Sequence, residues 1–292
     1  PVLDEQGKII DWRLRKEDDD EPIILPDLII NDEASMTGAD LYQDLSSFGV
    51  PIIAVGDHGQ LPPIAGPNKT PFNLMDKPDI RLEKIHRQAA DNPIIALATA
   101  ARTTGLLSPG IYDQDVAALW RKNITPSLEA RLLSGHPDNL IIVGTNRERV
   151  LINKKILSST FKHKTDLPFE GAQLICLRNN RREGLFNGQS ATVDKILDTG
   201  ATTIRFTLTL DDGRKITTQS SLLAFNNEKP ITPPGFRNNL FDFGYAVTCH
   251  KAQGSESPFV FVLGRGFGEP DFRKRWLYTA VTRAQNGLFV IL

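Results

Sequence analysis

The sequence lacks the features that mark a membrane, secreted or metal-stabilised protein. It contains no run of 18 apolar residues, the length that a membrane-spanning helix requires. No charged segment followed by an apolar stretch and small residues opens the chain, so nothing suggests secretion. The only two cysteines, Cys176 and Cys249, stand far apart, without Cys or His partners at zinc spacing. We therefore expect a reduced, cytoplasmic protein with no membrane association and no structural metal.

A strong charge of either sign is also lacking, because the formal net charge is −1. A nearly neutral total neither requires nor excludes a nucleic-acid partner, since a local basic groove can exist on a neutral protein. The 40% hydrophobic and 24% charged residues are ordinary values for globular proteins. With 292 residues, the chain exceeds the usual size of one domain, and we expect two or more compact units.

The first apolar segments predict a strand–helix–strand unit. Residues 27–30 form a short apolar run that ends in Asp32 and Glu33, and residues 50–55 form a second run that ends in Gly56 and Asp57. A helix is predicted between them, near residues 38–47. Polar residues at the carboxyl ends of parallel strands lie at the edge where α/β proteins bind ligands.

The later chain predicts a second α/β sheet that begins near residue 110. Helices are predicted over residues 93–102 and 114–121, and a buried strand over residues 140–144. Between about residues 165 and 235 the pattern changes to short strands separated by glycine-containing turns, at 172–177, 190–196, 202–210 and 214–219. We interpret this part as a small β-barrel inserted into the second sheet, whose α/β pattern resumes after Gly235.

Asp32 and Glu33 have the arrangement of a Walker B motif. The first carboxylate would hold Mg²⁺, and the second would polarise the attacking water. An acidic pair after a strand is also common at an exposed strand end, so the next motif matters. Eight residues, 56–63, read Gly-Asp-His-Gly-Gln-Leu-Pro-Pro. Gln60 there carries a neutral amide that can contact a γ-phosphate without adding charge.

These two strings resemble the RecD/Dda/Pif branch of superfamily 1B DNA helicases, in which Asp-Glu-Ala-Ser-Met is followed by Gly-Asp-x-x-Gln-Leu-Pro-Pro. Residues 82–88 resemble motif IV of that branch, with Arg87 as the residue that reaches the γ-phosphate. Residues 145–147, with Asn153 on the following helix, resemble the first segment of its second motor domain, which contacts the DNA backbone. Residues 171–180 and 186–189 resemble its SH3-like domain.

Residues 245–256 give the most specific match, to motif V, Thr-x-His-Lys-x-Gln-Gly-Ser-Glu. Residues 253–255 are predicted to open a helix whose N-terminus suits phosphate or ribose oxygens. Residues 278–284 resemble motif VI, with Arg283 as an arginine finger. The resemblance implies catalytic roles for Glu33, Gln60, Arg87 and Arg283, nucleotide or magnesium contacts for Asp32, Asp57, Gly254 and Glu256, and DNA contacts for Thr145, Asn146, Thr248, His250 and Lys251.

The same resemblance implies a RecA-like P-loop NTPase fold that uses ATP and Mg²⁺ to step 5′ to 3′ along single-stranded DNA. The 292 residues contain no Gly-x-x-x-x-Gly-Lys-Ser/Thr string, because Gly7 and Lys8 are followed by Ile9. We therefore expect a truncated first domain over residues 1–105, a complete second domain over 106–160 and 236–292, and an SH3-like barrel over 161–235. The chain would need a further N-terminal half with the P-loop and would be inactive as an ATPase alone.

Two alternatives belong to other classes of protein. In the first, the chain is a non-catalytic DNA-binding subunit or a partner of another motor or of a repair or nuclease complex. The γ-phosphate residues argue against a pure binding protein, which has no use for them. The second alternative is a nuclease, which would need a cluster of acidic metal ligands, and the sequence does not show one.

Overall fold

The structure is a computed structural model that describes residues 2–3, 9–11, 25–63, 72–82, 92–180, 182–229, 239–264 and 268–292. The chain divides into two compact units, Pro1–His86 and Arg87–Leu292. Arg87, the predicted motif IV arginine, lies outside the described residues.

Among its described residues, the first unit contains two small sheets and one α-helix. A parallel pair of strands carries the acidic motif, and the predicted helix between these strands is confirmed. The elements are β1 (Val2–Leu3) and β2 (Ile9–Asp11), which pair antiparallel, then β3 (Ile29–Asn31), α1 (Ala39–Ser46) and β4 (Ile52–Ala54). Strands β3 and β4 are parallel, with Asn31 opposite Ala54.

The second unit is built on a six-stranded sheet. Its elements are α2 (Pro93–Thr104), β5 (Gly110–Asp113), β6 (Val116–Leu119), α3 (Pro126–Leu132), β7 (Asn139–Val143), α4 (Asn146–Ser159), and, after the insertion described below, β13 (Ala246–Thr248), β14 (Ser257–Leu263), α5 (Pro270–Val281) and β15 (Ala284–Ile291). The strand order is β13-β7-β14-β15-β6-β5. All neighbours are parallel except β5, which is antiparallel to β6.

Continuous apolar runs explain why the central strands are buried on both faces. Residues 141–143 of β7 and 260–262 of β14 are at most 1% exposed. Helices α2 and α5 contact each other, and α4 contacts β13 and β7. The helix predicted over residues 114–121 is wrong, because residues 116–119 form β6. An apolar run of four residues has the length of a strand, and its periodicity alone does not distinguish it from a helix.

The insertion between α4 and β13 is a five-stranded antiparallel sheet. Its strands are β8 (Gln173–Cys176), β9 (Ser190–Thr199), β10 (Thr203–Leu210), β11 (Lys215–Ser221) and β12 (Phe241–Phe243), in the order β11-β10-β9-β8-β12. In β10, alternate side chains are buried, as expected for a sheet with one face toward a core. The predicted closed barrel is not found among the described strands. A parallel bridge between Ser220 and Asn239 joins β11 to the described residues just before β12.

Two observations concern the domain boundaries predicted near residues 105 and 235. Helix α2 ends at residue 104 and packs against α5 of the second unit. Strand β12 belongs to the five-stranded sheet although it follows residue 235. No helix in the described parts of the chain has the length and apolar character needed to cross a membrane.

Candidate functional site

The predicted Walker B residues lie where β3 ends, beside the loop that follows β4. The loops are joined by backbone hydrogen bonds, in which Val55 N donates to Asn31 O and Ala34 N donates to Val55 O, each at 2.9 Å. A Cβ atom at Gly56 would stand 3.0 Å from the backbone nitrogens of Ala34 and Ser35. The loops therefore approach so closely that only glycine fits at position 56 without a shift.

Glu33 adopts a left-handed backbone conformation, with φ of 50°. Such strain is uncommon outside glycine and concentrates at functional positions. The Glu33 backbone nitrogen donates to Asp32 Oδ1 at 2.8 Å, which holds the Asp32 carboxylate against the turn. The described residues contain no group of three His, Cys, Asp or Glu placed to hold a metal ion. A single carboxylate suits Mg²⁺, which is commonly held by one or two carboxylates together with substrate phosphates.

Gln60 is buried, with 7% of its surface exposed, and its Oε1 atom has no hydrogen-bond partner among the described residues. The loop that carries it is held by Asp57, whose Oδ1 accepts from Gly59 N at 2.8 Å and whose backbone oxygen accepts from Gln60 N at 3.1 Å. A buried amide oxygen without a partner costs about 1–3 kcal/mol. Its presence fits a site whose ligand supplies the missing donor.

In the second unit, two segments that are remote in sequence end on neighbouring strands. Thr145 follows β7 and caps α4, and Thr248 ends β13, where it lies opposite Val143 of β7. Carboxyl ends of adjacent parallel strands meet at the same edge of a sheet. The structure thus brings together Thr145, Asn146, Thr248 and the short 3₁₀ helix Cys249–Ala252, which carries His250 and Lys251.

The start of α4 is held by a capping box. Thr145 Oγ1 accepts from Glu148 N at 3.2 Å and donates to Glu148 Oε2 at 3.0 Å, which also accepts from Thr145 N. Asn146 is exposed, and its Oδ1 accepts from Arg149 Nε at 3.2 Å. Of the two predicted DNA contacts in this segment, Thr145 and Asn146, only Asn146 keeps a side-chain donor available.

Asn153, which the sequence grouped with the DNA-contact segment, lies inside the fold. It is fully buried, and its Oδ1 accepts from Ala246 N at 2.8 Å while its Nδ2 donates to Phe243 O at 3.1 Å. Its amide therefore fixes the connection between β12 and β13. A polar residue on the apolar face of a helix is more often such a structural anchor than a ligand contact.

His250 and Lys251 are both half-buried. Burial lowers the pKa of His250, which favours the neutral imidazole at pH 7, and burial also lowers the pKa of Lys251. Lys251 Nζ donates to Asn187 Oδ1 in the turn between β8 and β9. The predicted DNA-contact segment is thus joined to the five-stranded sheet.

Residues 253–255 do not open a helix, which corrects the sequence-based expectation. They follow the 3₁₀ helix and lead directly into β14, and Gly254 has φ of 77°. The left-handed glycine turns the chain away from helical geometry, and the β-branched and aromatic residues that follow favour a strand. Glu256, the predicted ribose contact, accepts from Gln285 Nε2 at 3.0 Å.

Arg283 lies at the opposite edge of the sheet, where β14 and β15 begin and Ser257 pairs with Ala284. The register places this edge roughly 20 Å along the strands from Thr248. Arg283 is 7% exposed and donates through Nε to Thr279 O and through Nη1 to Ser255 O, at 3.1 and 3.2 Å. The predicted residues of this unit therefore form two groups: Gly254, Glu256 and Arg283 near the amino ends, and the candidate DNA contacts at the carboxyl ends.

Sequence reasoning missed a buried ion pair beside the second group. Arg149 of α4 pairs with Asp242 of β12, and Arg149 Nη2 donates to Asn227 O at 2.6 Å. Burial raises the pKa of the Asp242 carboxyl, and the guanidinium opposes that shift. Two signals could have indicated the pair: an arginine one turn after Asn146, and one acidic residue inside the apolar run 240–243.

Comparison with known proteins gives three findings. Residues 243–291 match the family of the UvrD-like helicase C-terminal domain. An ATP-dependent RecD2 DNA helicase from Deinococcus radiodurans is 29% identical over 287 residues, an alignment that covers 90% of this chain and 36% of that protein. The chain thus spans about a third of the length of this curated relative.

Solved structures of similar fold include two helicases. The Pif1 helicase from Bacteroides, in complex with ADP-AlF3 and single-stranded DNA, has a TM-score of 0.57 and 20% identity, over 90% of this chain and 70% of that one. The Pif1 helicase from Candida albicans has a TM-score of 0.55 and 18% identity, over 91% and 71%. At these identities the likeness concerns the fold, a mixed α/β fold similar to the RecA-like domains of Pif1.

Proposed function

We propose that this chain, the C-terminal portion of a superfamily 1B helicase of the RecD/Pif1-like branch, grips single-stranded DNA and completes the ATP site of a DNA helicase. The observation that carries the proposal is the meeting of Asn146 and Thr248 at neighbouring strand ends. The whole motor would couple ATP hydrolysis to movement 5′ to 3′ along the strand. The RecD2 relative is an ATP-dependent DNA helicase, which supports this assignment.

The DNA contact is assigned to the carboxyl edge of the six-stranded sheet. The Asn146 amide, the Thr248 hydroxyl and the donors of His250 and Lys251 would contact phosphates, while Thr145 caps the helix that presents Asn146. Phosphate contacts carry no sequence information, so binding should tolerate any base sequence and should weaken as salt rises. The Bacteroides Pif1 structure with single-stranded DNA supports the choice of ligand.

The nucleotide contacts are assigned to the loops after β3 and β4. Asp32 would hold Mg²⁺, which neutralises phosphate charge when bound, and Glu33 would orient and polarise the attacking water. Gln60 Oε1, buried without a donor, would accept from that water. Asp57 holds the Gln60 loop. From the resemblance alone, we assign phosphate contacts to Arg87 and Arg283 and ribose contacts to Gly254 and Glu256.

The first unit is proposed to belong to a larger RecA-like domain. Ile30 and Ile53 pair across β3 and β4, and they are 68% and 51% exposed. Parallel strands are normally covered on both faces, so these side chains support further strands and helices around this pair. The five-stranded sheet is proposed as the counterpart of the SH3-like domain, because it lies between the same motifs.

Two measurements test the proposal. Fluorescence anisotropy of the chain with a labelled oligothymidylate should show salt-dependent binding, and absence of binding at low salt would refute the DNA contact. A longer protein that includes a P-loop segment should then unwind a duplex with a 5′ single-stranded tail. Unwinding only from a 3′ tail would refute the direction. A DNA-binding partner without motor function would bind the oligonucleotide and show no ATP-dependent unwinding in that longer protein.

A further inference from the structure

Arg149 lies on α4 one turn after Asn146 and is 6% exposed. Each of its three side-chain nitrogens has a partner. Nη1 pairs with the Asp242 carboxylate, Nη2 donates to Asn227 O at 2.6 Å, and Nε donates to Asn146 Oδ1 at 3.2 Å. The guanidinium plane is therefore fixed from both sides, because rotation would break at least two of these hydrogen bonds.

The partner carboxylate is equally constrained. Asp242 is fully buried on β12, and its Oδ1 accepts from the backbone nitrogens of Asn226 and Phe243 at 2.7 and 2.8 Å. Buried ion pairs of this kind rarely stabilise a fold more than apolar residues of similar volume. The arrangement therefore invites a role other than stability, and the contact with Asn146 offers one.

The contact decides which end of the Asn146 amide faces outward. An amide can present either its oxygen or its nitrogen, and only the nitrogen can donate to a phosphate oxygen. Since Arg149 Nε is a donor, it holds Oδ1 and turns Nδ2 the other way. Within the described parts of the chain, that nitrogen makes no hydrogen bond, and the side chain is exposed at the edge assigned to DNA.

We propose that Arg149, held by Asp242, is a positioning residue that fixes the Asn146 amide with its NH₂ group toward a phosphate of single-stranded DNA. This inference rests on the proposed function. It also assigns the five-stranded sheet a part in DNA binding, because β12 supplies the carboxylate that holds the guanidinium. Arg149 itself does not touch the DNA.

A double-mutant cycle tests the coupling. The probe is a fluorescein-labelled oligothymidylate of about 16 nucleotides, the upper end of the site sizes known for single-stranded DNA-binding folds. Asn146→Ala should raise the Kd about tenfold, the value of one hydrogen bond to a charged group. Arg149→Lys keeps the positive charge beside Asp242 but removes the Nε donor, and it should raise the Kd about threefold because the amide can then present its oxygen. In the Asn146→Ala background, Arg149→Lys should have no further effect.

The control is Arg131→Lys, which replaces a half-buried arginine that is likewise paired with a carboxylate, Asp115 at 2.6 Å, near the amino end of β6. It should leave the Kd unchanged. A role of Arg149 in stability alone would give the same factor in both Asn146 backgrounds, and that result would overturn the inference. Thermal melting of each variant identifies any loss of folding.

Asn146→Asp provides a second test if Arg149→Lys does not fold. An acidic residue in the first turn of a helix is well tolerated, so this variant should fold. Arg149 Nε would hold one carboxylate oxygen and leave the other facing the phosphate, and the Kd should rise more than with Asn146→Ala. Wild-type affinity in Asn146→Asp would overturn the inference. If the unaltered chain binds no oligothymidylate, the proposed function fails and the inference fails with it, whereas binding without coupling refutes the inference alone.

Discussion

Arg283 combines a proposed catalytic role with a structural one. Its guanidinium donates to Ser255 O and Thr279 O inside the second unit, so removal of the side chain leaves buried acceptors without partners. We expect Arg283→Ala to lower the free energy of unfolding of this chain by about 1–3 kcal/mol. Urea denaturation measures this, with Arg273→Ala, an exposed hydrogen bond on α5, as the control that should change stability little.

In a longer protein that carries a P-loop, the Arg283→Ala variant tests the catalytic role separately from the structural one. Loss of an arginine finger lowers turnover on the order of 10³-fold or more, so Arg283→Ala should reduce kcat by that factor even at temperatures where it remains folded. A variant that turns over within about tenfold of wild type, a difference of ~1.4 kcal/mol, would exclude the finger role.

Cys249 gives a prediction about pH. It is 1% exposed, and burial raises its pKa far above the ordinary value. The folded chain keeps the thiol proton where the unfolded chain, with a pKa of about 8.5, has released it. The corresponding stability is complete below that pH and is lost as the pH rises. Between pH 7 and 10 the loss should be about 2 kcal/mol.

Urea denaturation at both pH values tests this, in wild type and in Cys249→Ala. The variant should show a smaller fall between the two pH values, whatever its stability at pH 7. Burial also raises the pKa of Cys176 and raises that of Tyr245 to about 12, so some fall should remain. Equal falls in the two proteins would show that the Cys249 thiol titrates normally in the folded state.

At the scale of single elements, variants at the start of α4 distinguish residues that stabilise the fold from residues that bind DNA. Thr145→Ala removes the capping-box hydroxyl and should lower the free energy of unfolding by about 1 kcal/mol. Thr145→Ser keeps the hydroxyl and should retain most of that stability. Asn146→Ala should show the reverse pattern, with little change in stability and weaker oligothymidylate binding. If Thr145→Ala weakens binding more than Asn146→Ala does at equal folding, the assignment of the DNA contact to Asn146 is wrong.

The elements predicted well are those with a complete local signal. Strand β7 has a continuous apolar run, and α1 and α4 have the helical period, so their positions agree with the structure. The prediction failed at β6 and at residues 253–255, where the local signal consists of only three or four residues. At β6 the neighbouring strand β15 determines the structure, and at Gly254 the left-handed turn does, and neither is visible in a short window.

The candidate site shows the same division. Local strings were enough to identify Asp32, Gln60 and Thr248 as candidates, because each belongs to a motif of several residues. The partnership of Arg149 with Asp242 joins residues far apart in the chain, and a single sequence carries no record of that distance. The burial of Asn153 likewise depends on β13, which follows it only after the whole insertion.

At the scale of the whole molecule, the sequence lacks a phosphate-binding loop. The 292 residues offer no Gly-x-x-x-x-Gly-Lys-Ser/Thr segment to position the β- and γ-phosphates, so in-line geometry is not available to this chain alone. We expect no DNA-stimulated ATPase activity from the purified chain in a coupled assay. Steady turnover that Glu33→Gln abolishes would show that the nucleotide site is complete without that loop.

The strand order of the six-stranded sheet has a consequence for synthesis. Strand β15 lies between β14 and β6, so the middle of the sheet is made by residues 284–291, long after β6 and β7 have left the ribosome. Until then, Val116, Ile141 and their apolar neighbours have no complete sheet to join, whereas the strands β8–β11 form a ladder between sequence neighbours. During translation the strands β8–β11 can therefore pair before β15 is made, and we expect the apolar strands of the second unit to stay exposed for longer, a condition that favours aggregation.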